Sequence, residues 1–119
     1  MRTGPKQPRS RIPAAAAFAA AAMLAPAWAT AADAEAAEGL ARQSGCYKCH
    51  GVDKKKVGPP FKETAAKYKA DKDAVAKLTK HITGEGKMKN EQGKEEPHPA
   101  VKSKKPDDIR NLLDWILSR

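Results

Sequence analysis

The sequence predicts an all-α domain of about four short helices. Two patterns carry that prediction. Four segments place apolar residues at three- and four-residue spacing, and Gly, Pro or Asp bounds them. No segment shows the strict alternation of a half-buried strand. A third observation concerns the core. Aromatic residues make up only 5% of 119 residues, too few rings to fill the centre of a small protein. Nine prolines scattered through the chain argue against a coiled coil. The mean hydropathy of −0.70 argues against a polytopic membrane protein.

The first segment reads as an address rather than as part of the fold. Residues 1–11 hold Arg2, Lys6, Arg9 and Arg11 and no acid, and an alanine-rich apolar run follows from Ile12 to Leu24. Pro26 breaks the run, and Ala27-Trp28-Ala29 and Ala29-Thr30-Ala31 both fit a small-residue cleavage pattern. Those are the three parts of a secretory signal peptide, residues 1–29, with cleavage near 29–32. A spanning helix needs about 20 strongly apolar residues, more than this run offers. Removing residues 1–29 leaves 90 residues and takes away four of the 23 basic residues and no acid. The formal charge then falls from +9 to +5. The remaining domain, residues 33–119, is near the lower size limit for a self-sufficient core. Such a domain needs a staple, a metal or a cofactor.

The helices follow in order. Ala34 to Ser44 has Ala36, Ala37, Leu40 and Ala41 at helical spacing, with Asp33 as N-cap and Gly45 as terminator. Phe61 to Ala70 is a short second helix entered after Pro59-Pro60, and Asp71 to Thr83 a third that ends at Gly84. Pro106 to Ser118 is the last. There Ile109, Leu112, Leu113 and Ile116 form a core-facing stripe. Pro106 suits the first turn, and Asp107 and Asp108 favour the positive end of the helix dipole.

The chemistry lies in Gly45-Cys46-Tyr47-Lys48-Cys49-His50-Gly51. C-x-x-C-H is the attachment signature of c-type haem. Two thiols add across the two vinyl groups on one edge of the porphyrin. The histidine after the second cysteine then turns under the ring and ligates iron. The attached haem also supplies the flat apolar body that the core lacks. A zinc site would want two more ligands at paired spacing, and none follows. A thioredoxin-like pair would sit in a βαβ pattern, and a Cys46–Cys49 disulfide is the remaining alternative.

Further stretches carry a resemblance. They are Val57-Gly58-Pro59-Pro60-Phe61, Ala65-Ala66-Lys67-Tyr68 and Leu113-Asp114-Trp115-Ile116-Leu117-Ser118. Together with the haem motif they make Ala34 to Arg119 similar to a class I c-type cytochrome of the small bacterial c551/c552 monohaem type. The resemblance implies about four helices around one covalently bound haem c. It implies that the first and last helices cross beside the haem, with Trp115 at the junction. It also implies that the Pro59 carbonyl accepts a hydrogen bond from His50, which would fix that ligand's orientation.

The sixth ligand departs from the family. Relatives place Met in a Pro-Met-Pro-Pro segment before the last helix, whereas this chain reads Glu96-Pro97-His98-Pro99. His98 is therefore the expected distal ligand. Met88, ten positions earlier in a polar stretch, is the alternative, and an open iron is the third. Nitrogen in place of sulfur lowers the expected potential. His81 stands where relatives carry a basic residue near a haem propionate, so a propionate contact is one reading and a solvated helix-end histidine another.

Lys54-Lys55-Lys56, Lys62, Lys102, Lys104 and Lys105 flank the haem motif and the ligand loop. They would steer an acidic redox partner, or they form an ordinary solvated surface. No nucleic-acid motif and no set of general acid, base and nucleophile is visible. The sequence therefore predicts an exported, periplasmic electron-transfer protein rather than an enzyme. The competing expectations are a haem-based binder of small gases and a dedicated subunit of an oxidoreductase complex.

Overall fold

The first helix starts from an N-cap at Asp33. In the computed structural model, which describes Gly4 and residues 31–119, helix α1 spans Ala34–Gln43. The predicted leader, residues 1–29, lies outside the described residues apart from Gly4. The Asp33 carboxylate accepts the Ala36 N–H at 3.1 Å. Such a cap stabilises a helix by about 1 kcal/mol. The buried face of α1 is Ala37 and Ala41, small enough for another helix to approach closely. Glu38 and Arg42 pair across one turn at 3.0 Å on the exposed face.

Helix α2 spans Phe61–Tyr68 and starts directly after Pro60. It is shorter than the spacing predicts, ending in a turn where Asp71 N–H donates to the Tyr68 carbonyl. Helix α3 spans Ala74–Lys80, well inside the predicted Asp71 to Thr83. Asp71 does not join it. Its carboxylate instead accepts the Asp73 N–H at 2.8 Å and the Lys77 ammonium at 2.6 Å, a local bonding pattern that competes with helix. At the other end the helix widens into a π-type turn over His81–Glu85, closed by Gly84 at φ +104°.

The structure corrects the expectation of no strands. β1 (Lys87–Lys89) and β2 (Glu95–Pro97) form an antiparallel pair in the register Lys87 to Pro97, Met88 to Glu96 and Lys89 to Glu95. The connection is built on Asn90. Its side chain accepts the N–H groups of Gln92 and Lys94, and Gly93 sits at φ +76°. The pair escapes detection in the sequence because five of its six residues are exposed, so no alternation of apolar and polar arises.

Helix α4 spans Pro106–Leu117 and is the centre of the fold. It packs on α1, α2 and α3 and buries Ile109, Leu112, Leu113, Trp115 and Ile116. Trp115 meets the Phe61 ring edge-on at 5.8 Å, and its indole N–H is buried without a partner among the described residues. One side chain locks the start of the domain to its end. Asp33 N–H donates to Asn111 Oδ1 at 2.7 Å, and Asn111 Nδ2 donates back to the Asp33 carbonyl at 2.9 Å.

Candidate functional site

The end of α1 delivers the haem motif. Gly45, at φ +71°, turns the chain out of the helix in a conformation that a side chain would strain. Cys46–Lys48 then form one tight 3₁₀ turn, and the Cys46 carbonyl accepts the N–H groups of both Cys49 and His50, at 3.2 and 2.9 Å. This folding brings both thiols and the imidazole to one cleft of about 660 Å³. Both cysteines are free, so they do not pair with one another. Burial pushes the Cys46 thiol up, and the nearby Cys49 adds to the rise.

His50 is held from three sides. The Pro59 carbonyl lies 2.7 Å from its Nδ1. A carbonyl only accepts, so Nδ1 carries the proton and Nε2 keeps its lone pair for a metal. The Phe61 ring stacks on the imidazole at 5.5 Å and 21°. Gly58 closes the third side, where a Cβ would stand 2.5 Å from His50 Cε1 and 2.8 Å from Nδ1. Backbone bonds from Gly58 to Cys49 (2.8 Å) and from Phe61 to Gly51 (2.9 Å) secure this loop.

The opposite wall comes from the π-type turn, the strands and the segment after β2. His98 lines the cleft, with its ring centroid 6.1 Å from that of His50 and the planes inclined at 37°. Its Nδ1–H donates to the Pro99 carbonyl at 2.8 Å, which again leaves Nε2 unprotonated. Met88 lines the same cleft from the middle of β1. His81 lines it too, with its ring 4.5 Å from that of His98. Burial pushes both His81 and His98 below the usual imidazole range, and neighbouring imidazoles push them further, partly offset at His98 by the Pro99 carbonyl.

These residues fit a covalently held haem. The cleft has the size of pockets that bury cofactor-sized ligands, about 300–1,000 Å³. Leu78, Ile82, Leu112, Leu113 and Ile116 give it apolar walls. Paired thiols stand at its edge, and a ligand-ready imidazole stands on one side.

The cleft lining adds a second set of lysines to those that flank the motif in sequence. It carries Lys48, Lys67, Lys77, Lys87 and Lys89 and the acid Glu63, with Lys77 paired to Asp71 at 2.6 Å and Lys87 to Glu95 at 3.0 Å. None of the lysines at 54–56, 62, 102, 104 and 105 belongs to that lining. Lys56 donates to the Tyr47 carbonyl at 2.6 Å, and Lys62 lies 3.7 Å from Asp53. Sequence runs do not mark this second set, because a cleft gathers single lysines from separate elements.

Comparison with known proteins agrees with this reading. The family model described as Cytochrome c matches residues 34–119. Cytochrome c-551 of Pseudomonas denitrificans is 40% identical over 82 residues, covering 68% of this chain and 94% of that protein. Cytochrome c-552 of Nitrosomonas europaea is 38% identical over 101 residues, covering 85% and 90% respectively. The crystal structure of the class 1 cytochrome MtoD from Sideroxydans lithotrophicus ES-1 superimposes with a TM-score of 0.69 at 50% identity, over 74% of this chain and 97% of that one.

Proposed function

The chain belongs to the cytochrome c family, and from that premise we propose a periplasmic electron carrier whose haem iron is held between His50 and His98. This is a monohaem class I cytochrome c with one covalently attached haem c, and it carries electrons between redox partners rather than catalysing a reaction. Among the described residues no helix is long and apolar enough to cross a membrane.

One observation carries the ligand assignment, the 6.1 Å between the His50 and His98 ring centroids. Two metal–nitrogen bonds of about 2 Å, each extended by about 1.1 Å from nitrogen to ring centre, span about 6.2 Å. Both rings spend Nδ1–H on a backbone carbonyl and keep Nε2 free. Burial pushes the His98 pKa down, which favours the neutral form that binds metal.

Each residue then has a task. Cys46 and Cys49 would hold the haem covalently, and the bound group would supply reversible one-electron chemistry. The Pro59 carbonyl orients His50 and raises its basicity. His98 offers nitrogen where relatives use sulfur, which stabilises ferric iron and lowers the potential. The lysines around the cleft present positive charge to an acidic partner. The basic, apolar and small-residue order of residues 1–29 supports export.

The test is the long-wavelength absorption of ferric, haem-loaded protein, beside His98→Ala and with a redox titration. The expected wild type is low-spin without a sulfur-to-iron band, has a potential below that of His/Met relatives, and turns high-spin in His98→Ala. A sulfur-to-iron band would assign Met88 instead, and a high-spin wild type would reject both ligands.

A further inference from the structure

The chain has three histidines, and His81 is the one the axial assignment does not use. Its ring lies against the His98 ring, centroids 4.5 Å apart and planes inclined at 46°. On another side it meets Gly86. A Cβ built there would collide with His81 Nδ1 and stand 2.7 Å from its Cγ. Only glycine at position 86 leaves the imidazole room to lie where it does. The His81 ring is thus confined between the Gly86 backbone and the His98 ring.

Gly86 also holds the ligand segment. Its carbonyl accepts the His98 N–H at 2.8 Å, and three residues further on Val101 N–H donates to the Ile82 carbonyl at 2.8 Å. These two bonds fix the backbone that carries His98 onto the turn that carries His81. They leave the His98 side-chain torsions free, and χ2 of a histidine is broad. The bond from His98 Nδ1 to Pro99 joins neighbouring residues, so it restrains the ring only relative to its own loop. The His81 ring comes from a different element and lies against His98.

We propose that His81 is a positioning residue, a steric wedge that sets the plane of the His98 ring and so the angle between the two axial imidazoles. This rests on axial ligation by His98, as read above. The angle between the axial planes governs how the iron d orbitals split, and groups around a ligand set its orientation. The role needs a flat ring rather than a hydrogen-bonding atom. It therefore differs from a propionate contact, which Phe could not supply.

Three measurements test it. In ferrous, low-spin wild type, proton NMR is expected to show direct contacts between His81 and His98 ring protons. Their absence would overturn the proposal without any variant. In ferric protein, His81→Ala is expected to shift and broaden the low-field electron paramagnetic resonance feature, and His81→Phe to return its position and width to those of wild type. An unchanged feature in His81→Ala overturns the proposal, as does a shift in His81→Phe equal to that in His81→Ala. Loss of the ligand assignment itself is read separately, from the wild-type and His98→Ala optical spectra.

Discussion

Gly58→Ala tests the geometry behind His50. The added methyl would stand 2.5 Å from Cε1, 2.8 Å from Nδ1 and 3.0 Å from Nε2 of the imidazole. Relaxed contacts between heavy atoms need about 3.5 Å, so ring and loop must part by roughly 1 Å. The ring cannot retreat freely, because Phe61 stacks on it and the Pro59 carbonyl holds Nδ1 at 2.7 Å. Forcing a methyl into a packed site costs about 1–3 kcal/mol. Losing one hydrogen bond adds about 1 kcal/mol. The expected total is about 2–4 kcal/mol, or a fall in Tm of about 8 °C or more for a domain of this size. Thermal unfolding of the haem-loaded protein, followed by circular dichroism, measures it. A redox titration reads the same variant electronically. A less basic His50 donates less to ferric iron, so the potential is expected to rise. A Tm within 2 °C of wild type together with an unchanged potential would refute the idea that Gly58 is required by the ring.

Asn111→Ala removes the two-way link to Asp33 and is expected to cost about 1–2 kcal/mol, seen as a lower urea midpoint at unchanged slope. Asn111→Asp, which keeps the acceptor and loses the donor, should fall between the two. The Lys77 ammonium, and after it the Asp73 N–H, holds the Asp71 carboxyl below its usual value. Its folded pKa is depressed, so its stabilisation is present above about pH 4 and disappears as pH falls through the folded value. Asp71→Asn should therefore flatten the acid limb of the stability profile, and an identical limb would exclude the pair as its source. Replacing Lys48, Lys67 and Lys89 together by Glu should slow reduction of an acidic partner about tenfold or more at low salt and weaken the salt dependence. Stopped-flow kinetics that match wild type would place docking elsewhere.

How much was legible in the sequence depends on the distance over which each feature is encoded. Helices α1 and α4 were readable because apolar spacing, an Asp cap and a leading Pro all lie within a few residues. The haem motif was readable for the same reason, since Cys46, Cys49 and His50 share one turn. The length of α3 was misjudged because Asp71 makes a local bond that outcompetes helix. The hairpin was missed because its residues are mostly exposed and its signal was a single Asn-x-x-Gly turn. The Asp33–Asn111 link and the His81–His98 contact join residues far apart in the chain. No periodicity announces such pairs. The lysines of the cleft likewise come from separate elements, so no run in the sequence marks them.

The two walls of the cleft differ in how far the chain must travel to build them. On the His50 side, the bonds from Gly58 to Cys49, from His50 to Pro59 and from Lys56 to Tyr47 each close a loop of nine residues. Short loops close within about 10–100 ns, so the contacts of this wall are met early once the chain turns out of α1. The His98 side needs the π-type turn, an exposed hairpin and two backbone bonds across longer loops before its ring faces the cleft. Exposed hydrogen bonds over few buried contacts mark the segments that open first. Sub-global opening therefore starts at the hairpin and frees one side of the site while the other stays closed. Native-state hydrogen exchange should show this as two protection levels, low at Met88, Asn90 and His98 and high at His50 and Gly58.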